Sequence, residues 1–414
     1  MVMRTHASHT EQSNVPGTVV LPTVVGGNRT DVRAPVASTP ALPGVRPRVL
    51  YLTDLAPSDK FGSMEEQILE LARACKAGGG LLLPVFGGEP APPVVAQYRA
   101  AGLDVEGMSL HHLSAGTLLR LLRLVRDNGI SIVHWNFYSP INPYVWLLSV
   151  LAPGLMHLRT DHTSRTVPLP AAPSGAKRFV KQVLFRRYQK VLCVSDFVAT
   201  CLEHQGTWSH VSRCTYFVNT DRFTPRADVR QQLRARFGAD EAFVLLFVAQ
   251  LIPEKGGEVA IRALAELPTV VTLWIVGDGA DRDRLVALSG ALGLESRVRF
   301  FGNQRNVEPY MQASDAFACP STWGEAAGLV NLEALASGLP VVASDIGGIP
   351  EFIDDERNGL LFTPGDHHGL ARQVRRLLLD PELSQRLSRS ARSDAVAQFS
   401  IERRMPEYVD AYDA

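Results

Sequence analysis

The stretch "GEAAGLVNLEALASGLPVV" (324–342) sets two carboxylates, Glu325 and Glu333, either side of Gly328 at the entry to a helix. Gly328 removes a side chain where the first free backbone N–H groups of a helix point outward, and such a place receives anions. Glu333 falls more than one turn further in, suited to hydroxyls, while Glu325 lies before the first turn, at the mouth. A ligand with polyols on both sides of a diphosphate has that layout: ribose, diphosphate, hexose. Spacing alone equally allows Glu325 as an electrostatic cap and Glu333 on a solvated face.

Two further positions could serve the same chemistry. In "FVAQLIPEKGG" Lys255 precedes two glycines on a loop leaving a strand, where an ammonium group could neutralise a diphosphate; an exposed loop lysine is the plainer alternative. In "RTDHTSR" His162 stands at the end of a strand, although a lone histidine is more often structural. A separate cluster, "KRFVKQVLFRRYQK" (177–190), has six bases and no acid, with Phe179, Val183 and Leu184 among them. It reads as a helix that could lie on an anionic membrane or receive an anionic acceptor, or as one with a buried face and a solvated basic one.

These residues need elements to hold them, and the chain supplies a repeating alternation. "RVLYLT", a glycine-bearing loop and "SMEEQILELARAC" form strand, loop and helix, and strands and helices go on alternating to about residue 200. A polar segment, "FTPRADVRQQLRARFGAD" (223–240), marks the domain boundary. The pattern then restarts at "FVLLFVAQL". The fold expected is α/β, with two doubly wound, Rossmann-like domains facing a cleft at the carboxyl ends of their strands. We place a disordered tail at 1–46, domains at 47–225 and 226–395, and at 396–414 a helix crossing back to the first domain.

Composition limits the partners. Acidic and basic residues balance at 42 each in 414, so no net field favours nucleic acid. Five scattered cysteines without a C-x-x-C pair read as reduced, buried thiols, and the pairs His111-His112 and His367-His368 as surface histidines without a metal. The start has no secretory h-region and no apolar run reaches the ~18 residues of a membrane span. A cytoplasmic protein is expected, in contact with the inner membrane face at most peripherally, through 177–190. "IVGDGADRDR" is not the G-x-G-x-x-G of dinucleotide enzymes.

The second half resembles the GT-B retaining glycosyltransferases of family 4. The resemblance rests on the E-x7-E motif Glu325–Glu333 and on "QLIPEKG", "IVGDG", "RFFGNQRNVEPYMQASDAFACPS", "NGLLFTPGD" and "YFVNTDRFTP", spanning roughly 48–410 and strongest after 215. It implies metal-independent hexosyl transfer from a nucleotide-diphosphate sugar to an acceptor hydroxyl, with no other cofactor. Lys255 would bind the diphosphate, Glu325 the transferred sugar, the amides of Gly328 and Leu329 the phosphate, and Glu333 the ribose. Asn303, Arg305 and Val307 would border the base, His162 would take the place of the active-site histidine, and Gly62 would meet the diphosphate. Two departures stand out: Ala249-Gln250-Leu251 replaces the frequent Gly-Arg-Leu, so Gln250 offers a hydrogen bond but no charge, and the loop at Gly62 has one glycine instead of two. A non-catalytic sugar-nucleotide binder, a GT-B phosphorylase and an epimerase share these features.

Overall fold

The computed structural model describes residues 46–57, 62–206 and 211–413; the tail expected at 1–46 lies, but for its last residue, outside them. Seven parallel strands build the first sheet: β1 (Arg48–Thr53), β2 (Leu81–Phe86), β3 (Glu106–Gly107), β4 (Ile132–Asn136), β5 (Met156–Asp161), β6 (Lys190–Cys193) and β7 (Val211–Arg213). Their order is β3-β2-β1-β4-β5-β6-β7. The second sheet contains β8 (Phe243–Val248), β9 (Val271–Val276), β10 (Val298–Phe300), β11 (Ala316–Cys319), β12 (Val341–Ser344) and β13 (Gly359–Phe362), ordered β10-β9-β8-β11-β12-β13. Near-continuous apolar runs such as Val49–Leu52 and Val341–Ala343 are fully buried, as expected of parallel strands covered by helices on both faces. Each sheet reverses its order once, beside β1 and beside β8, and loops leaving strands at such switch points form ligand crevices.

Charged groups also build this fold. The polar segment 223–240 contains a helix, Ala227–Arg236. It is fixed by arginines: Arg230 and Arg234 donate to the Asp315 carboxylate, at 2.5 and 3.0 Å, and to the Ala313 carbonyl. The basic stretch 177–190 is not one helix. Its helix ends at Phe185, and Lys190 opens β6, its ammonium donating to the carbonyls of Ala411 (3.1 Å) and Asp413 (2.5 Å). Arg187 lies over the Trp146 ring at 4.3 Å. Two of the six bases therefore serve the interior.

The last helix, Ile401–Tyr412, buries Met405, Tyr408 and Tyr412 in the same core cluster as Val49 and Leu158 of the first sheet. Direct contacts also join the two halves. Arg165 and Gly324 exchange two backbone hydrogen bonds of 2.8 Å, and the Glu351 carboxylate accepts from the amides of Asp196 and Phe197 at 2.7 Å. Those amides open the helix Asp196–His204, so the acid also meets the positive end of a helix dipole. All five cysteines are buried and unpaired. Among the described residues no helix is long and apolar enough to cross a membrane.

Candidate functional site

Loops from both sheets line one cavity of about 790 Å³, and every candidate named from the sequence borders it: Gly62, His162, Gln250, Lys255, Asn303, Arg305, Val307, Glu325, Gly328, Leu329 and Glu333. After β8 the chain makes a short 3-10 turn, Pro253–Lys255, and Gly256 takes a left-handed conformation (φ 74°). Thr322 N–H donates to the Glu254 carbonyl at 2.8 Å, joining this turn to the loop after β11. The junction brings the Lys255 ammonium to 2.6 Å from Glu325 Oε1, which also accepts from Ser321 Oγ (2.7 Å) and Trp323 Nε1 (3.1 Å). Burial by itself would raise the Glu325 carboxyl, but Lys255 and these donors hold it below its ordinary value. Glu325 is thus a buried, ion-paired acceptor.

Gly328 (φ 68°) precedes the helix Leu329–Ala336. Glu333, on that helix, is 3% exposed, which excludes a solvated face. Its carboxylate accepts from Ser63 Oγ of the first domain. Nearby, Arg222 bridges Glu66 (2.7 Å) and Glu308 (3.0 Å). Burial pushes the Glu333 carboxyl up to about 7; Ser63 and Arg222 oppose the rise, and Glu66 and Glu308 add to it.

A carboxyl raised in the folded state binds protons that the unfolded chain does not. Its stabilising contribution is complete below the ordinary 4.5 and is lost as pH rises through about 7. Glu333→Gln should remove that loss. Melting curves from pH 5 to 8 are expected to show the variant gaining on the parent as pH rises, by about 1–3 kcal/mol at pH 8. Parallel curves would refute the assignment.

On the first-domain side, Asn136 donates from Nδ2 toward the carbonyls of Leu52 and His134, leaving Oδ1 to accept from His162 Nε2–H at 3.0 Å. His162 Nδ1 consequently accepts from the Tyr216 hydroxyl at 2.5 Å. Burial lowers the His162 pKa to about 3; Asp161 opposes the shift and Arg159 adds to it, so the ring is neutral. Ser164 Oγ reaches toward Glu325 Oε2 at 3.4 Å and also accepts from the Ala326 amide, a further polar link between the halves. Gly62 opens the helix Ser63–Ala77 with its amide on Glu65 Oε2, 2.9 Å away. Gln250, Asn303 and Arg305 are exposed to the cavity, whereas Val307 is buried behind it. Sequence reasoning missed Ser63, Ser164 and Arg222, which reach the site only through the fold, and Ser321 and Trp323, ordinary residues close to Glu325 in the chain whose donors turn onto its carboxylate. Away from the cavity lining, His367 and His368 meet Glu266 Oε1 at 3.3 and 2.7 Å, a group of two imidazoles and a carboxylate that the histidine spacing did not reveal.

Residues 229–394, the span of the second sheet with its helices, match the family model described as glycosyl transferases group 1. That stretch of the chain is similar to the group 1 glycosyltransferases. It contributes Lys255, Glu325, Gly328 and Glu333 to the cleft, and the first sheet lies outside the match. Among curated proteins, the chain is 33% identical over 218 residues to the lipopolysaccharide core biosynthesis glycosyltransferase LpsE of Rhizobium meliloti, covering 53% of this chain and 62% of that protein. It is 31% identical over 229 residues to LpsD, of the same description and organism, covering 55% and 65%. The chain thus spans a little under two thirds of these relatives. Beyond the matched stretch, the similarity to solved structures takes in both sheets. Anabaena HepE, crystallised in complex with UDP, superposes with a TM-score of 0.74 at 22% identity, covering 88% of this chain and all of HepE. The architecture is GT-B: two Rossmann-like domains facing a cleft.

Proposed function

We propose that the protein is a metal-independent, retaining glycosyltransferase of the family 4 type, transferring a hexosyl group from a nucleotide-diphosphate sugar to an acceptor hydroxyl. The observation that carries this reading is one cleft holding the half-buried Lys255 paired with the buried Glu325, a helix start at Gly328 and, one helical segment on, the buried Glu333. The group 1 match supports it, as do the relatives described as glycosyltransferases. Their descriptions favour a cell-envelope saccharide or lipid-linked acceptor.

In this mechanism the anomeric C–O bond to the diphosphate breaks while a bond to the acceptor oxygen forms on the same face, through an oxocarbenium-like state. The acceptor proton leaves with the departing phosphate oxygen. Lys255 and the amides of Gly328 and Leu329 stabilise the developing charge, with Gln250 adding a hydrogen bond. Glu325 orients the sugar hydroxyls and Glu333 the ribose, while Asn303, Arg305 and Val307 border the base and Gly62 approaches the diphosphate. His162, neutral and with both nitrogens engaged, positions the sugar and takes no proton.

A cytoplasmic location with peripheral membrane contact completes the proposal. It draws on the helix Gly175–Phe185, which exposes Phe179 and Val180 (66% and 53%) beside Lys177.

Thermal-shift measurements with UDP-, GDP-, ADP- and TDP-sugars test the donor site. At least one should raise Tm in a concentration-dependent way. Absence of any shift overturns the reading; a shift with neither transfer nor hydrolysis of the donor would instead identify a non-catalytic binder.

A further inference from the structure

One residue in the cavity has an unusual backbone. Phe137 follows β4 directly and adopts φ 63°, and it shares a positive φ with only Glu356 among the described non-glycine residues. A bulky side chain in the left-handed region is strained, and such strain persists where the surroundings hold it for a purpose. Here the conformation lays the Phe137 ring on His162, with centroids 4.4 Å apart and planes within 12°. His162 is itself immobilised by Asn136 and Tyr216. The benzyl ring thus has a rigid backing, yet it stays 38% exposed and borders the cleft.

The backbone next to it belongs to the end of β1. Asp54, which follows β1, donates its amide to the Asn136 carbonyl at 3.2 Å, so the ends of β1 and β4 are in register next to Phe137. The Asp54 carboxylate meets His111 Nε2 at 2.9 Å. A flat aromatic face bordering a cleft that is also lined by polar side chains is the usual composition of a site for a ring with apolar C–H faces and hydroxyl edges.

We infer that Phe137 is the platform on which a pyranose ring of the acceptor stacks, so that the acceptor is a saccharide or carries a sugar at its accepting end. The inference rests on the transferase reading for which sugar it concerns: in that reading Lys255, Glu325, Gly328 and Glu333 of the second domain hold most of the donor, with His162 and Gly62 reaching it from the first, and Phe137 projects from the first domain on the open side of His162. The electropositive C–H face of the pyranose meets the electron-rich face of the ring. The strained backbone and the fixed His162 spare the cost of ordering the platform during binding.

Saturation-transfer NMR on the full chain tests this with methyl glycosides of glucose, galactose, mannose and N-acetylglucosamine. Glycerol and the polyphenol quercetin serve as comparison probes. The parent protein should show contact on the C–H protons of one pyranose face for at least one glycoside. Phe137→Asn, which retains a residue tolerant of positive φ, should weaken that signal at least tenfold, and Phe137→Trp should keep it. The Tm shift given by the donor nucleotide should be the same in all three proteins. Absence of glycoside contact in the parent, undiminished contact in Phe137→Asn, or preference for quercetin overturns the platform. Failure of the transferase reading is a separate result, the absence of any nucleotide-sugar shift.

Discussion

Lys255→Ala should lower kcat/KM for sugar transfer by about 100- to 1,000-fold, the usual cost of removing one preorganised group that stabilises a developing negative charge. The loss should be large because Gln250, beside Lys255 in the cleft, brings no charge of its own. A second effect accompanies it. Lys255 is the cation 2.6 Å from the buried Glu325, and deleting one partner of such a pair leaves the other charge uncompensated. Since Lys255 is about a quarter exposed, and Ser321 and Trp323 still donate to Glu325, we expect a destabilisation of only about 1–3 kcal/mol. The double variant Lys255→Ala/Glu325→Gln separates the two effects. It should recover most of the lost Tm and none of the lost turnover. Lys255→Ala with activity within threefold of the parent would remove Lys255 from the leaving-group site.

Gly256→Ala should cost more than ~4 kcal/mol, a loss beyond the usual range for point substitutions. Two penalties combine. At φ 74° any Cβ is strained, and a Cβ built here lies 1.8 Å from the Pro320 carbonyl oxygen, a backbone atom that cannot move aside alone. Relief would require the turn carrying Lys255 to part from the loop carrying Ser321 and Glu325. Gly293 is the control, because its φ is 66° but its Cβ would meet nothing within 4 Å. Gly293→Ala should therefore cost only the conformational term, roughly 1–2 kcal/mol. Urea unfolding of the two variants compares them directly, and equal costs would show that the close approach to Pro320 is unimportant.

The legible parts of this sequence were those in which one residue type has one physical use. Strands buried on both faces appear as runs of Val, Leu and Ile, and their alternation with helices indicated two doubly wound halves. Glu325, Glu333 and Lys255 could be picked out as candidates because acids and a lysine next to glycines, at strand ends and helix starts, can meet a diphosphate and its sugars, and because the family resemblance falls on the same positions. The helix Ala227–Arg236 was not visible as structure. Its buried face is made by arginines donating to Asp315 and to carbonyls, so hydropathy gives it no apolar stripe. The helix Pro143–Leu151 was obscured for the opposite reason: "PYVWLLSVL" is apolar on nearly every side and has no period to read. At the site, the spacing of the two glutamates left a cap and a ligand contact equally open. Burial excludes the solvated face for Glu333, and among the groups packed on the two acids are Ser63 and Ser164, far away in the chain. Phe137 shows the limit best: nothing in "HWNFYSP" indicates a positive φ.

The hydrogen bond from Ser63 to Glu333 has a consequence for how strongly a nucleotide can be held. If a ribose is to use that carboxylate, its hydroxyls must take over an acceptor that the opposite domain already employs. Ser63 then acts as an internal competitor, and the measured affinity is a difference between two sets of partners. Nucleotide dissociation constants would be set in part by the first domain, in proportion to how often it withdraws. Product release would benefit in turn, because the serine is at hand to reclaim the acid as the nucleoside diphosphate departs.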